Sequence, residues 1–168
     1  VTNLSTSLLS EEISKQFNTP LLRTSVGEIN VVKKMKEEGS FLGGEGNGGV
    51  ILKESHLGRD ALVGASIILN LILNEETRLS NFFKTLPNYY IEKSSISLNK
   101  TNTDYINKIK KIFINDIVDE TDGCKIIRDE EWIHIRKSNT EPILRIISES
   151  KSISRSKELI KIVKDEII

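Results

Sequence analysis

No regular helix can pass through residues 43–49. The stretch "GGEGNGG" places five glycines in seven positions, and each glycine costs about 1 kcal/mol relative to alanine inside a helix. The chain must turn here. The apolar residues on either side, "FL" before and "VIL" after, make the segment a strand, a loop and a strand. Besides glycine, the loop holds only the carboxylate of Glu45 and the amide of Asn47.

Helical and extended patterns alternate around this loop. Leu9, Ile13 and Phe17 recur four apart, which predicts an amphipathic helix in "SLLSEEISKQF". "PLLRTSV" reads as extended, and "INVVKKMKEEG" as a helix closed by Gly39. A long helix is expected over Arg59–Asn74, opened by the Arg59-Asp60 pair, with a shorter helical piece at Leu79–Leu86. The run "ALVGASIILNLIL" is too short to span a bilayer and carries Ser66 and Asn70, so it is expected to be a buried helix. This alternation favours an α/β layer with a partly parallel sheet.

Pro87 marks a change of pattern. "NYYIEKSSISL" reads as a strand and "TDYINKIKKIFIND" as a helix with Tyr105, Ile109, Ile112 and Phe113 on one side. "CKIIRD", "EWIHIRKS" and "PILRIISES" read as three strands. A last helix is expected after the N-cap Ser152, burying Leu159, Ile160, Ile162, Val163 and Ile167. The expected architecture is therefore α/β followed by α+β. Residues 1–87 would form a mixed α/β sheet domain, and residues 88–168 a small domain of a four-stranded sheet covered by two helices.

Charge and composition exclude several classes. The 24 basic and 24 acidic residues leave a net charge of zero, so no long-range field draws the chain to nucleic acid or an anionic membrane. An anion would have to be caught by local geometry. One cysteine, Cys124, rules out an internal disulfide and fits a reducing cytoplasm. Two histidines, His56 and His134, without a Cys/His cluster argue against zinc, and both read as ordinary structural residues, as does Trp132. The start "VTNLSTSLLSEE" lacks the pattern of a secretion signal, and a first residue other than methionine suggests a trimmed or partial chain.

The second candidate site is "RKSNTEP". Alternation along the preceding strand puts Ile133 and Ile135 on one face, expected toward the helices, and Trp132, His134 and Arg136 on the other. Arg136 offers a planar donor fork matched to phosphate oxygens. Ser138, Asn139 and Thr140 add short polar groups whose backbone can curl into an anion nest, and Pro142 stiffens the exit. The ordinary reading is a polar hairpin turn with Arg136 paired to a surface acid.

"RKSNTEP" resembles the phosphate-binding loop of the α-D-phosphohexomutases, and "GGEGNGG" is similar to the sugar-binding loop of that family. "TSVGEINVVKKM" looks like its short specificity loop at the start of a helix. The order and spacing of the three resemble the last two of the family's four domains. The resemblance implies a sugar-binding third domain over residues 1–87 and a phosphate-binding fourth domain over residues 88–168. It also implies phosphate contacts from Arg136, Ser138, Asn139 and Thr140, sugar contacts from Glu45 and Asn47, and a specificity role for Gly27 and Glu28. The loop glycines would let the backbone approach the sugar ring. Gly49 stands where relatives often carry histidine, and Glu28 where some do.

Family members interconvert hexose 1-phosphates and 6-phosphates through a phosphoserine and a bisphosphorylated sugar. Neither the serine nucleophile segment nor the magnesium-binding aspartate loop occurs in this sequence. No catalytic residue and no bound metal is therefore expected here, and "DETDG" reads as a plain turn. Mg2+ is implied for the complete enzyme, with ligands outside this chain. The expected partners are a phosphorylated hexose or hexosamine and the enzyme's own N-terminal domains, with neither nucleic acid nor membrane. The alternative is a non-catalytic phosphosugar-binding or interaction module. Arg145 reads as structural, with a role in the cleft as the alternative.

Overall fold

The computed structural model describes residues 1–76, 78–98 and 104–168; Thr103, at the start of an expected helix, lies outside them. The chain divides into two compact units, Val1–Asn88 and Tyr89–Ile168.

The first unit runs β1 (Thr2–Asn3), α1 (Leu9–Gln16), β2 (Arg23–Thr24), α2 (Glu28–Glu38), β3 (Leu42–Gly44), β4 (Val50–Leu52), α3 (Ala61–Asn74) and α4 (Leu79–Thr85). β1 and β2 pair in parallel, whereas β3 and β4 form an antiparallel hairpin about the glycine loop. Val1 links the two pairs. Its nitrogen donates to the Leu42 carbonyl and its carbonyl accepts from Gly44, bracketing Gly43 as in a parallel ladder. Val31, Val32 and Met35 of α2 pack on Ile51 to form the core. A Cβ on Gly43 would stand 2.3 Å from Met35 Sδ, so that glycine admits α2 to the sheet. Gly39 closes α2 in the left-handed region, φ 69°.

α3 is not the buried helix its composition suggests. Only Gly64 of α3 is buried, against Val50 of β4, while Leu62, Leu69 and Leu73 are 80, 61 and 74 % exposed. Length is the reason. Fourteen residues of helix extend about 21 Å, and a three-residue strand such as β4 offers about 10 Å of cover. Much of α3 overhangs its own sheet. The 168-residue chain is thus expected to enhance the fluorescence of the apolar dye anilinonaphthalene sulfonate. The double variant Leu69→Lys, Leu73→Lys should lose most of that signal, with a stability change within about 0.5 kcal/mol.

The second unit runs β5 (Tyr90–Ser97), α5 (Tyr105–Ile112), β6 (Ile117–Asp119), β7 (Cys124–Ile127), β8 (Trp132–Lys137), β9 (Ile143–Ser150) and α6 (Ile153–Ile167). Its antiparallel sheet has five strands in the order β5-β9-β8-β7-β6, not the four expected. The additional strand, β6, is three residues long and its Ile117 is 69 % exposed, too short to leave an alternation. Both helices lie on one face. Tyr105, Ile109 and Phe113 from the α5 region and Leu159, Ile160, Val163 and Ile167 from α6 close over Ile126, Ile133, Ile135, Leu144 and Ile146. Ser152 caps α6, its side chain accepting from the Arg155 N–H.

The opposite face of β8 is buried as well, and it is polar. Trp132, 1 % exposed, donates its indole N–H to Glu149 at 2.7 Å, and Lys125 Nζ lies 4.5 Å from its ring centre. Two buried charges thus share one aromatic partner. His134, fully buried, donates from Nε2 to the Asp122 carbonyl at 2.6 Å. Burial holds His134 below the ordinary imidazole range. The unfolded chain then binds a proton that the folded chain does not, so the stability of this unit should fall as pH drops through about 6.5. His134→Gln keeps a donor for Asp122 and should flatten that slope in urea melts taken between pH 7 and pH 5.

Candidate functional site

In the first unit, the carboxylate of Glu45 joins three segments that are distant in sequence. Oε1 accepts from Asn3 Nδ2 at 2.9 Å and from the Gly27 N–H at 3.2 Å. Oε2 lies 3.3 Å from Arg59 Nη1, and the side chain is only 5 % exposed. Glu28 joins the same cluster, its two oxygens taking the Arg59 backbone N–H at 2.9 Å and Arg59 Nε at 2.8 Å. Those bonds, the backbone one first, hold Glu28 below the usual carboxylate range. The adjacent Gly27 and Glu28 and the sequence-distant Glu45 therefore meet at one place.

Asn47 stays with its own loop. Its Oδ1 accepts the Gly49 N–H at 3.1 Å, while Glu45 and Gly49 close the turn through a 3.0 Å backbone bond. Four of the five loop glycines face protein at close range, a Cβ on Gly44 standing 2.7 Å from the Gly49 carbonyl oxygen. A Cβ on Gly43 would meet Met35, one on Gly46 would meet the Ser5 carbonyl at 3.0 Å, and one on Gly49 would meet Arg59 Cδ at 2.3 Å. Their bareness serves the packing of the loop itself.

The Arg59-Asp60 pair splits its duties. Asp60 caps α3, accepting from the Leu62 and Val63 N–H groups, and also receives His56 Nε2 at 3.0 Å. Arg59 takes no part in the cap and turns back to the two glutamates. Sequence reasoning grouped it with the helix start. The signal that could have separated the two is that one N-cap needs one acceptor, which Asp60 alone provides.

In the second unit, Arg136 is the penultimate residue of β8 and is 8 % exposed. Nη1 donates to the Lys137 carbonyl at 2.9 Å, its one hydrogen bond among the described residues, and its nearest carboxylate, Asp122, stands 3.9 Å from Nε. Most of the donor fork is uncommitted. Beyond it the chain turns: the Ser138 N–H bonds the Ile143 carbonyl at 2.9 Å, leaving Ser138 half-buried and Asn139 and Thr140 exposed. The sheet register sets Arg145 directly across from Arg136. Arg145 Nη2 pairs with Glu141 at 2.6 Å, and its Nε is buried without a hydrogen-bond partner. The β6–β7 turn presses on this spot through Gly123, whose φ is +78° and whose missing Cβ would lie 2.3 Å from the Ile135 carbonyl oxygen.

The turn at 119–123 does not assemble a cation site. Asp119 Oδ1 accepts the Thr121 N–H, and Glu120 pairs with Lys110 at 2.6 Å. Among the described residues, no three His, Cys, Asp or Glu side chains gather to hold a metal ion, so the residues present do not fit the magnesium that the resemblance implies. No helix among them is long and apolar enough to cross a membrane.

A family model described as phosphoglucomutase/phosphomannomutase, alpha/beta/alpha domain III, matches residues 1–90. A phosphoglucomutase/phosphomannomutase of Thermococcus kodakarensis is 34 % identical over 164 residues, covering 96 % of this chain and 36 % of that protein. A phosphoglucosamine/phosphogalactosamine mutase of Sulfurisphaera tokodaii is 32 % identical, over 98 % of this chain and 37 % of its own length. The chain thus spans little more than a third of these relatives. Among solved structures, a phosphoglucomutase/phosphomannomutase family protein of Burkholderia thailandensis superposes on 98 % of this chain and 35 % of its own, with a TM-score of 0.76 at 21 % identity. An N-acetylphosphoglucosamine mutase of Aspergillus fumigatus, solved with glucose 1,6-bisphosphate, gives 0.73 at 13 % identity, over 98 % of this chain and 37 % of its own. At these identities the likeness shows the fold.

Proposed function

Because the chain belongs to the phosphoglucomutase/phosphomannomutase family, we propose that it is the substrate-gripping C-terminal part of a cytoplasmic phosphohexomutase. In this reading residues 1–87 hold the sugar through Glu45 and Asn47, with Gly27 and Glu28 setting specificity. Residues 88–168 hold phosphate through Arg136, Ser138, Asn139 and Thr140. The nucleophile and the ligands for magnesium belong to the N-terminal domains of the same enzyme.

The observation that carries this reading is the opposition of Arg136 and Arg145 across β8 and β9. Like charges directly opposite on a sheet repel, and neither guanidinium has its full set of acceptors. A phosphate dianion beside them would offset the repulsion and accept from both forks. The chain's task is then positioning: the fork fixes the non-reacting phosphate while hydroxyls are read elsewhere, and a sugar that must turn over between two transfers is kept from escaping.

The sugar is an amino sugar in this reading. Glu28 and Glu45 set two carboxylates against the single guanidinium of Arg59, and the net negative charge favours an ammonium group. Several relatives are named phosphoglucosamine mutases. Calorimetric titration of the 168-residue chain is expected to show glucosamine 6-phosphate binding about 3-fold more tightly than glucose 6-phosphate, as a screened charge pair allows. No mutase turnover should accompany it. Turnover by this chain alone, or failure to bind either sugar phosphate, would overturn the proposal.

A further inference from the structure

Arg59 is bonded to both carboxylates of the first unit's cluster, although α3 does not need it. Asp60 provides the cap, and the Arg59 side chain runs back over the glycine loop. Its backbone N–H and Nε grip Glu28 at 2.9 and 2.8 Å, and Nη1 reaches Glu45 at 3.3 Å. The aliphatic stem lies so close to Gly49 that a methyl there would stand 2.3 Å from Cδ and 2.9 Å from Cγ. Glycine at 49 is therefore the passage through which the guanidinium reaches its two partners.

We infer that Arg59 is a positioning residue that locks the start of α2, Gly27–Glu28, to the loop Glu45–Gly49 and so sets the spacing of the two carboxylates. Without the guanidinium, Glu28 and Glu45 repel, and among the described residues the hydrogen bond left from Glu45 to the start of α2 is that of the Gly27 N–H. With it, both acid groups are held in place before a ligand arrives, and the cost of ordering them on binding is already met. The Arg59–Glu28 pair is partly exposed and adds little to overall stability, so its contribution lies in geometry. This inference rests on the sugar-binding role proposed above for Glu28 and Glu45.

The test titrates the 168-residue chain and its variants with glucosamine 6-phosphate and, separately, with inorganic phosphate, alongside thermal melts. Arg59→Ala is expected to weaken sugar phosphate binding about 10-fold while leaving the affinity for inorganic phosphate unchanged. Gly49→Ala, which keeps the arginine but blocks its path, should reproduce the loss. Arg59→Lys should recover only part of the affinity, because an ammonium cannot form the fork to Glu28. A merely structural role would instead weaken both ligands together, in step with the fall in Tm. If Arg59→Ala does not fold, the ratio of sugar phosphate to phosphate affinity in Gly49→Ala and Arg59→Lys decides the matter. Wild-type sugar phosphate affinity in these variants would overturn the role of Arg59 and leave the proposed function standing. A wild-type chain that binds no sugar phosphate would overturn both.

Discussion

Gly123→Ala is expected to destabilise the second unit by about 3–5 kcal/mol, the sum of a left-handed backbone forced on an L-residue and a backbone collision. The positive φ of +78° alone disfavours alanine, and the new methyl would meet the Ile135 carbonyl oxygen at 2.3 Å and Arg136 Cα at 2.9 Å. Neither contact is a flexible side chain that could swing aside. Trp132 makes the measurement direct. It is the chain's single tryptophan and is 1 % exposed in this unit, so its fluorescence in a denaturant titration reports the unit that carries the mutation. The midpoint should fall by more than about 1 M urea. A midpoint equal to that of the wild type would show that the β6–β7 turn is free to move off β8.

Arg136→Ala should separate affinity from stability. Loss of a charge-assisted donor fork is expected to weaken sugar phosphate and inorganic phosphate binding alike by about 100-fold, or roughly 3 kcal/mol. Arg136→Lys should retain charge without the planar fork and recover at most about a tenth of the affinity. The same truncation removes one of two guanidiniums facing each other across β8 and β9, so the unliganded melting temperature should stay level or rise. Groups kept for binding at a cost to the fold behave this way. Calorimetry paired with thermal melts checks both halves, and a fall in Tm with unaltered phosphate affinity would make Arg136 a purely structural residue.

Much of the local structure was legible because single residues carry local signals. Gly39 ends α2 and Ser152 starts α6 as their side chains require. The apolar stripe of α6 packs as its spacing predicts, with Leu159, Val163 and Ile167 buried. What was hidden is long-range. The periodicity of α3 shows that every side is apolar, but not how short the strand beneath it is. Alternation along β8 separates Ile133 and Ile135 from His134 and Arg136 without saying that both faces are covered. Arg59 meets Glu28 across 31 positions, a separation at which no window of sequence links two residues. Three short β6 residues, one largely exposed, leave no pattern at all.

The place of β9 in the sheet has a consequence for how the chain comes to be made. β9 follows β5, β6, β7 and β8 in sequence, yet it lies between β5 and β8, and among the described residues it is the one ladder partner of β5. Until residues 143–150 emerge during synthesis, the β5 ribbon and the β6–β7–β8 meander are two separate pieces, each with an open edge where β9 belongs. Co-translational assembly of the second unit is thus deferred until β9 has been made. Arg136, made earlier, acquires its neighbour across the sheet only when that final insertion takes place.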